Sequence, residues 1–184
     1  MNASKTMRII AAAMLMTTLA IGSAAAADHA FTGAGKCKTC HNKPAEGAQF
    51  DQWMSTSHAK AFTTLASEAS KAIAKEKGIA DPQAADACLK CHVTGHGAKA
   101  ELLGEKYNKA EGVTCETCHG AGGDYYKMTV MKDITAGKID GATVGLIKPT
   151  KDMCVKCHNA ESPTFKGFNY DEAIKKVSHP KPAK

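Results

Sequence analysis

One short word, repeated four times, constrains this chain more than anything else in it. The pattern C-x-x-C-H occurs at Cys37, Cys40 and His41; at Cys88, Cys91 and His92; at Cys115, Cys118 and His119; and at Cys154, Cys157 and His158. All eight cysteines are used and none is left over. The pattern is the attachment sequence of c-type haem: two thiols add to the vinyl groups of one haem, and the adjacent histidine ligates its iron. Structural zinc and iron–sulfur sites also use C-x-x-C pairs, but neither needs a histidine directly after the second cysteine. A disulfide framework has no use for that histidine either. The expected cofactors are therefore four covalently attached haem c groups, with His41, His92, His119 and His158 as proximal iron ligands.

Haem of this type is attached after export, and the N-terminus agrees. "MNASKTMR" carries Lys5 and Arg8, an apolar run follows, and "AAAAD" offers small residues for cleavage after Ala27. Residues 1–27 read as a secretory signal peptide, which directs residues 28–184 to the periplasm. Extracellular release fits the same signal. No polar-flanked stop-transfer pattern follows, and no later segment is apolar enough to span a membrane, so no anchor is expected after cleavage.

The exported part is one domain by length, and four haems in it means one for roughly every 39 residues. Aromatic residues are only 5% of the chain, which has 16 glycines. Such a composition builds a thin core by itself, so the haems are expected to supply much of the apolar volume. The fold class that follows is mainly α with much irregular structure, a haem-packed core and few or no strands. Charge says less. Removing Lys5 and Arg8 lowers the formal net charge from +6 to +4, and eight haem propionates offset what remains. Nothing resembles a nucleic-acid-binding module. The lysines are suited to pairing with propionates or to docking an acidic redox partner, and a solvated lysine surface reads equally well.

Between the first two motifs, Phe50, Met54, Ala61, Phe62, Leu65 and Ala69 recur at three- and four-residue steps. This predicts one amphipathic helix that ends near Gly78 and carries His58 on its apolar stripe. A second helix is predicted at "NYDEAIKKVSHP", with Tyr170, Ile174 and Val177 inward and Pro180 ending it after His179. The segment between the third and fourth motifs is Gly-rich and expected to be irregular, with a short helix around 125–136.

Three words flank or separate the motifs: "W-x-x-S-x-H-A-K-A" from Trp53 to Ala61, within the long first gap, "C-x-x-C-H-V-x-G" from Cys88 to Gly95, and "G-V-x-C-E-x-C-H-G" from Gly112 to Gly120. With these words the chain resembles the cytochrome c-554 family of periplasmic tetrahaem cytochromes. The resemblance implies a mainly helical fold with closely packed haem pairs and a soluble electron carrier that exchanges electrons with redox partner proteins.

Four histidines remain for the distal faces of the irons: His29, His58, His96 and His179. The resemblance gives His58 and His179 distal roles. His29 lies eight residues before the first motif, placed to cap a haem of its own chain or of a neighbour. His96 lies only four residues after His92, and four residues reach at most about 14 Å. The chain cannot round a macrocycle in that length, so His96 either ligates a neighbouring haem or lines an open distal pocket. The family position is commonly aromatic. The family also places a distal histidine about ten residues after the third motif, where this chain has "DYYKMTVMKD"; Met128 and Met131 are the weaker ligand candidates there, or packing residues.

The function expected is an electron carrier with no acid–base or nucleophilic residue. One alternative is a reductase of nitric oxide, nitrite or hydroxylamine at an open haem, with His96 as proton donor. Another is an oligomer, a conducting filament with His29 donated between subunits.

Overall fold

The computed structural model describes residues 28–179; the predicted signal peptide at 1–27 and the last five residues lie outside the described part. Nine short α-helices follow one another among the described residues: α1 (Ala34–His41), α2 (Gln49–Met54), α3 (Ala61–Thr64), α4 (Glu68–Glu76), α5 (Asp86–His92), α6 (Cys115–His119), α7 (Met128–Thr135), α8 (Lys151–Cys154) and α9 (Tyr170–Val177). Single 3-10 turns lie between them, as at His58–Lys60 and Lys109–Glu111. The described residues contain no strand, only one isolated bridge between Phe31 and Leu103.

The single long helix expected before the second motif is four pieces. Ser55 and Thr56 turn their hydroxyls back onto Gln52 O (2.6 Å) and Trp53 O (2.7 Å), which ends α2 by offering its carbonyls a side-chain partner. Ser67 then caps α4, its hydroxyl accepting from Ser70 N at 3.2 Å, so helix restarts there rather than continuing. Apolar periodicity carried across these breaks because each piece buries one face. Elsewhere the expectation and the structure agree closely. α9 is capped by Asn169, carries Asp171 and Glu172 in its first turn and Lys175 and Lys176 in its last, which suits the helix dipole at both ends. α7 falls inside the predicted 125–136 window.

The protein-only core is thin. Leu65, Leu89 and Val93 are its buried centre, with Phe62, Cys88 and Tyr107 packed against it. Among the described residues no large side chain is completely buried. Met54, Met128, Ile147 and Phe165 are exposed. A chain that must offset the entropy of ordering about 150 residues needs more burial than this, and large apolar cofactors are the kind of partner that would provide it.

Backbone bonds stitch residues 30–31 to the segments on either side of the third motif. Phe31 N donates to Leu102 O (2.7 Å), Gly104 N to Phe31 O (2.8 Å) and Gly123 N to Ala30 O (2.8 Å). Trp53 donates from its indole to Val113 O at 2.8 Å and packs edge-on against Phe50. α1 packs on α2 and α6, and α3 packs on α5.

Candidate functional site

Each C-x-x-C-H word forms a helical turn. α1, α5 and α6 each end on the histidine of their motif, and α8 ends on Cys154, from which a turn leads to His158. One turn of helix places both sulfurs and the imidazole on adjoining positions of one face, as a tethered macrocycle requires.

The four turns converge. The Cys37 and Cys115 thiols are neighbours: Cys37 is pushed far above the ordinary thiol range by its hydrogen bond with Cys115 and then by burial. Cys157 is pushed up to about 12, by burial first and then by the neighbouring Cys91 thiol. Burial raises Cys118 as well, with Cys154 next in effect. First and third, third and fourth, and fourth and second motifs are therefore neighbours. These thiols cease to titrate once they are thioethers, so the shifts here serve only as a map of who lies beside whom.

The imidazoles carry the sharpest geometry. His58 faces His158 with ring centres 6.0 Å apart and planes crossed at 69°. His179 faces His119 at 5.9 Å and 61°. Two iron–nitrogen bonds of about 2 Å, with about 1.1 Å from each nitrogen to its ring centre, space the axial imidazoles of one iron roughly 6 Å apart. The residues present therefore fit a six-coordinate haem at the third motif and another at the fourth. Burial, followed by the facing histidine, lowers both His58 and His119; both then favour the neutral ring that metal ligation needs. His179 Nδ1 is bonded to Val177 O (2.8 Å) and His92 Nδ1 to Ala61 O (2.7 Å), which leaves Nε2 of each for a metal. Phe168 stacks on His158 at 4.8 Å and 15°, fixing the plane of that ring. No sequence pattern points to Phe168, since a stacking partner ten residues on depends on the path of an irregular loop.

The remaining candidates are placed differently. Among the described residues neither His41 nor His92 has a second imidazole crossed at such a separation. His29 is 17% exposed and bonds through Nδ1 to Asp124 Oδ2 at 2.6 Å, beside Gly145. His96 places Nε2 3.2 Å from Asp86 Oδ1. It lines a cavity of about 500 Å³ with Leu89, Val93, Leu103 and Tyr107, beside the second motif. Met128 opens α7 and is 57% exposed, and Met131 lies half-buried one turn further on. No helix among the described residues is long and apolar enough to cross a membrane.

Helices without a strand among the described residues, with paired cysteines and histidines on converging turns, define a c-type cytochrome. The comparisons place it more closely. The family model described as cytochrome c554 and c-prime matches residues 36–120. Cytochrome c-554 of Nitrosomonas europaea is 34% identical over 200 aligned residues, which cover 92% of this chain and 81% of that protein. The chain belongs to the cytochrome c-554 family; it is an electron carrier that holds covalently bound haem c and works with redox partners. No solved structure matches it.

Proposed function

We propose that the protein carries four haems and moves electrons through the periplasm in anaerobic or nitrogen-compound respiration. Residues 1–27 export it, and residues 28–184 act as one domain. The observation that carries the reading is the pair of crossed imidazoles, His58 with His158 and His119 with His179, at the 6.0 and 5.9 Å that one iron demands. Haem c supplies a reversible one-electron iron couple, and haems tethered to adjoining turns exchange electrons directly.

The chain's own residues then do three things. The eight cysteines fix each cofactor to a short helical turn. The line of neighbouring thiols, from Cys37 and Cys115 through Cys118 and Cys154 to Cys157 and Cys91, sets the order in which the four sites adjoin. The imidazole pairs hold the third and fourth irons with two strong nitrogen donors, which favours lower potentials than a His–Met pair would. The distal candidates that remain are His29 and His96, with Met128 and Met131 weaker. The test is the intact mass of the protein matured in a host with haem-ligation machinery. The chain without residues 1–27 should carry the mass of four haems, and a mass of three or fewer overturns the reading.

A second reading rests on His96. Its pairing with Asp86 on a cavity beside the second motif suits a proton donor, as a small-molecule reductase at an open iron would use. A high-spin ferric haem that binds nitric oxide, and whose turnover falls in His96→Phe, would favour it.

A further inference from the structure

Glu116 lies within the third motif, between Cys115 and Thr117, and is 2% exposed. Both carboxylate oxygens face donors. Oε1 accepts from Thr32 N (2.8 Å), Thr32 Oγ1 (3.3 Å) and Gly122 N (2.7 Å), and Oε2 accepts from Gly33 N (2.9 Å). Every group in this shell is a donor aimed at the carboxylate, three of them backbone N–H groups. Among the described residues no lysine or histidine forms an ion pair with it. A buried charge without a cationic partner is costly unless something else nearby is positive. A second carboxylate adds to the question: Glu111 Oε2 accepts from Ala34 N at 2.8 Å. Two acids thus converge on the start of α1, three residues before Cys37.

Two thiols lie in reach of these charges. Hydrogen bonding with Cys115 and burial raise Cys37 most, and Glu116 and Glu111 raise it further. The same two carboxylates oppose the lowering of Cys115. Those sulfurs are the tethers of the first and third haems. A ferric haem iron in its dianionic macrocycle is net positive, and its ferrous form is neutral. A fixed negative charge therefore stabilises the oxidised state of a haem beside it, and does so strongly where water is excluded.

We infer that Glu116 is a potential-setting residue: its buried carboxylate is the counter-charge of the oxidised first and third haems and holds both at lower potentials than their axial ligands alone would set. The inference rests on the four-haem reading. It makes that end of the array a better electron donor without adding an axial ligand. A purely structural role, clasping residues 32–34 under the third motif, would need the same hydrogen bonds but no charge.

Potentiometric titration of the mature holoprotein separates the two. Glu116→Gln removes the charge and keeps one acceptor oxygen. Two of the four midpoint potentials should move positive and the other two should stay. Glu111→Gln, at a half-buried position, should move the same two in the same direction by less. If Glu116→Gln fails to mature, Glu111→Gln decides alone. Wild-type protein with four haems, and variants whose midpoints are unchanged, would overturn the inference even if the variants melt earlier. Wild-type protein with fewer than four haems would instead overturn the underlying reading.

Discussion

Gly112→Ala is expected to damage a haem site by pressing on the backbone of His58. Gly112 has φ +74° and ψ −133°, a region that is nearly glycine-only and costs other residues about 2 kcal/mol. A Cβ built there would lie 2.8 Å from His58 O and 3.2 Å from Ala61 N. Ordinary carbon–oxygen contacts begin near 3.3 Å, so the His58 backbone must retreat by about half an ångström. That retreat also strains the bond from Val113 N to His58 O, 3.0 Å long and worth about 1 kcal/mol. The sum is about 3 kcal/mol, or a fall in Tm of roughly 6–12 °C for a chain of this size. The site should register it too. His58 and His158 are spaced at 6.0 Å, which leaves no slack for an iron between them, so a high-spin fraction should appear at the fourth motif's haem. Differential scanning calorimetry and the high-spin band of the ferric protein measure the two effects. An unchanged Tm with an unchanged spin state would refute the argument that Gly112 fixes the reach of His58.

Three further outcomes follow from the same geometry. His179→Ala should convert one low-spin ferric haem to high-spin, since His179 faces His119; an unchanged low-spin count would make His179 a packing residue. His96→Phe should leave the coordination of the His92 haem intact, because His96 is turned to Asp86; a new high-spin signal in the variant would show that His96 ligates another haem. The exposed Lys90–Glu161 pair joins the second motif to the loop after the fourth. Lys90, through its hydrogen bond, lowers Glu161, and Glu161 in turn raises Lys90. The Glu161 contribution is present above the ordinary carboxylate range and lost as pH falls through its lowered value, while the Lys90 contribution is lost as pH rises through its raised one. Solvent screens an exposed pair, so Glu161→Gln should leave Tm at neutral pH unchanged within error; a large fall would mean that this pair is a main brace between the two motifs.

The candidate site could be proposed from the sequence because a C-x-x-C-H word carries its own local geometry: each of the four words forms the helical turn expected of it. α9 was legible for a different reason, since caps, charges and apolar stripe all agree over one short stretch. The long helix between the first motifs was misread because Ser55, Thr56 and Ser67 compete for backbone partners, and periodicity alone does not register that competition. The pairing of His58 with His158 joins residues a hundred positions apart, and only the folded path fixes which proximal histidine each spare one meets. Glu116 looked like an ordinary acid in a motif's variable position. Its burial depends on Thr32, Gly33 and Gly122 arriving from two other segments.

The most direct test of the account is electron paramagnetic resonance of the fully oxidised protein. Axial imidazoles with crossed planes leave the iron orbitals nearly degenerate, which gives a strongly anisotropic low-spin signal. The crossing angles of 69° and 61° predict two such haems, both lost together in the double variant His58→Ala, His179→Ala. A wild-type spectrum with fewer than two bis-imidazole low-spin haems would contradict the account.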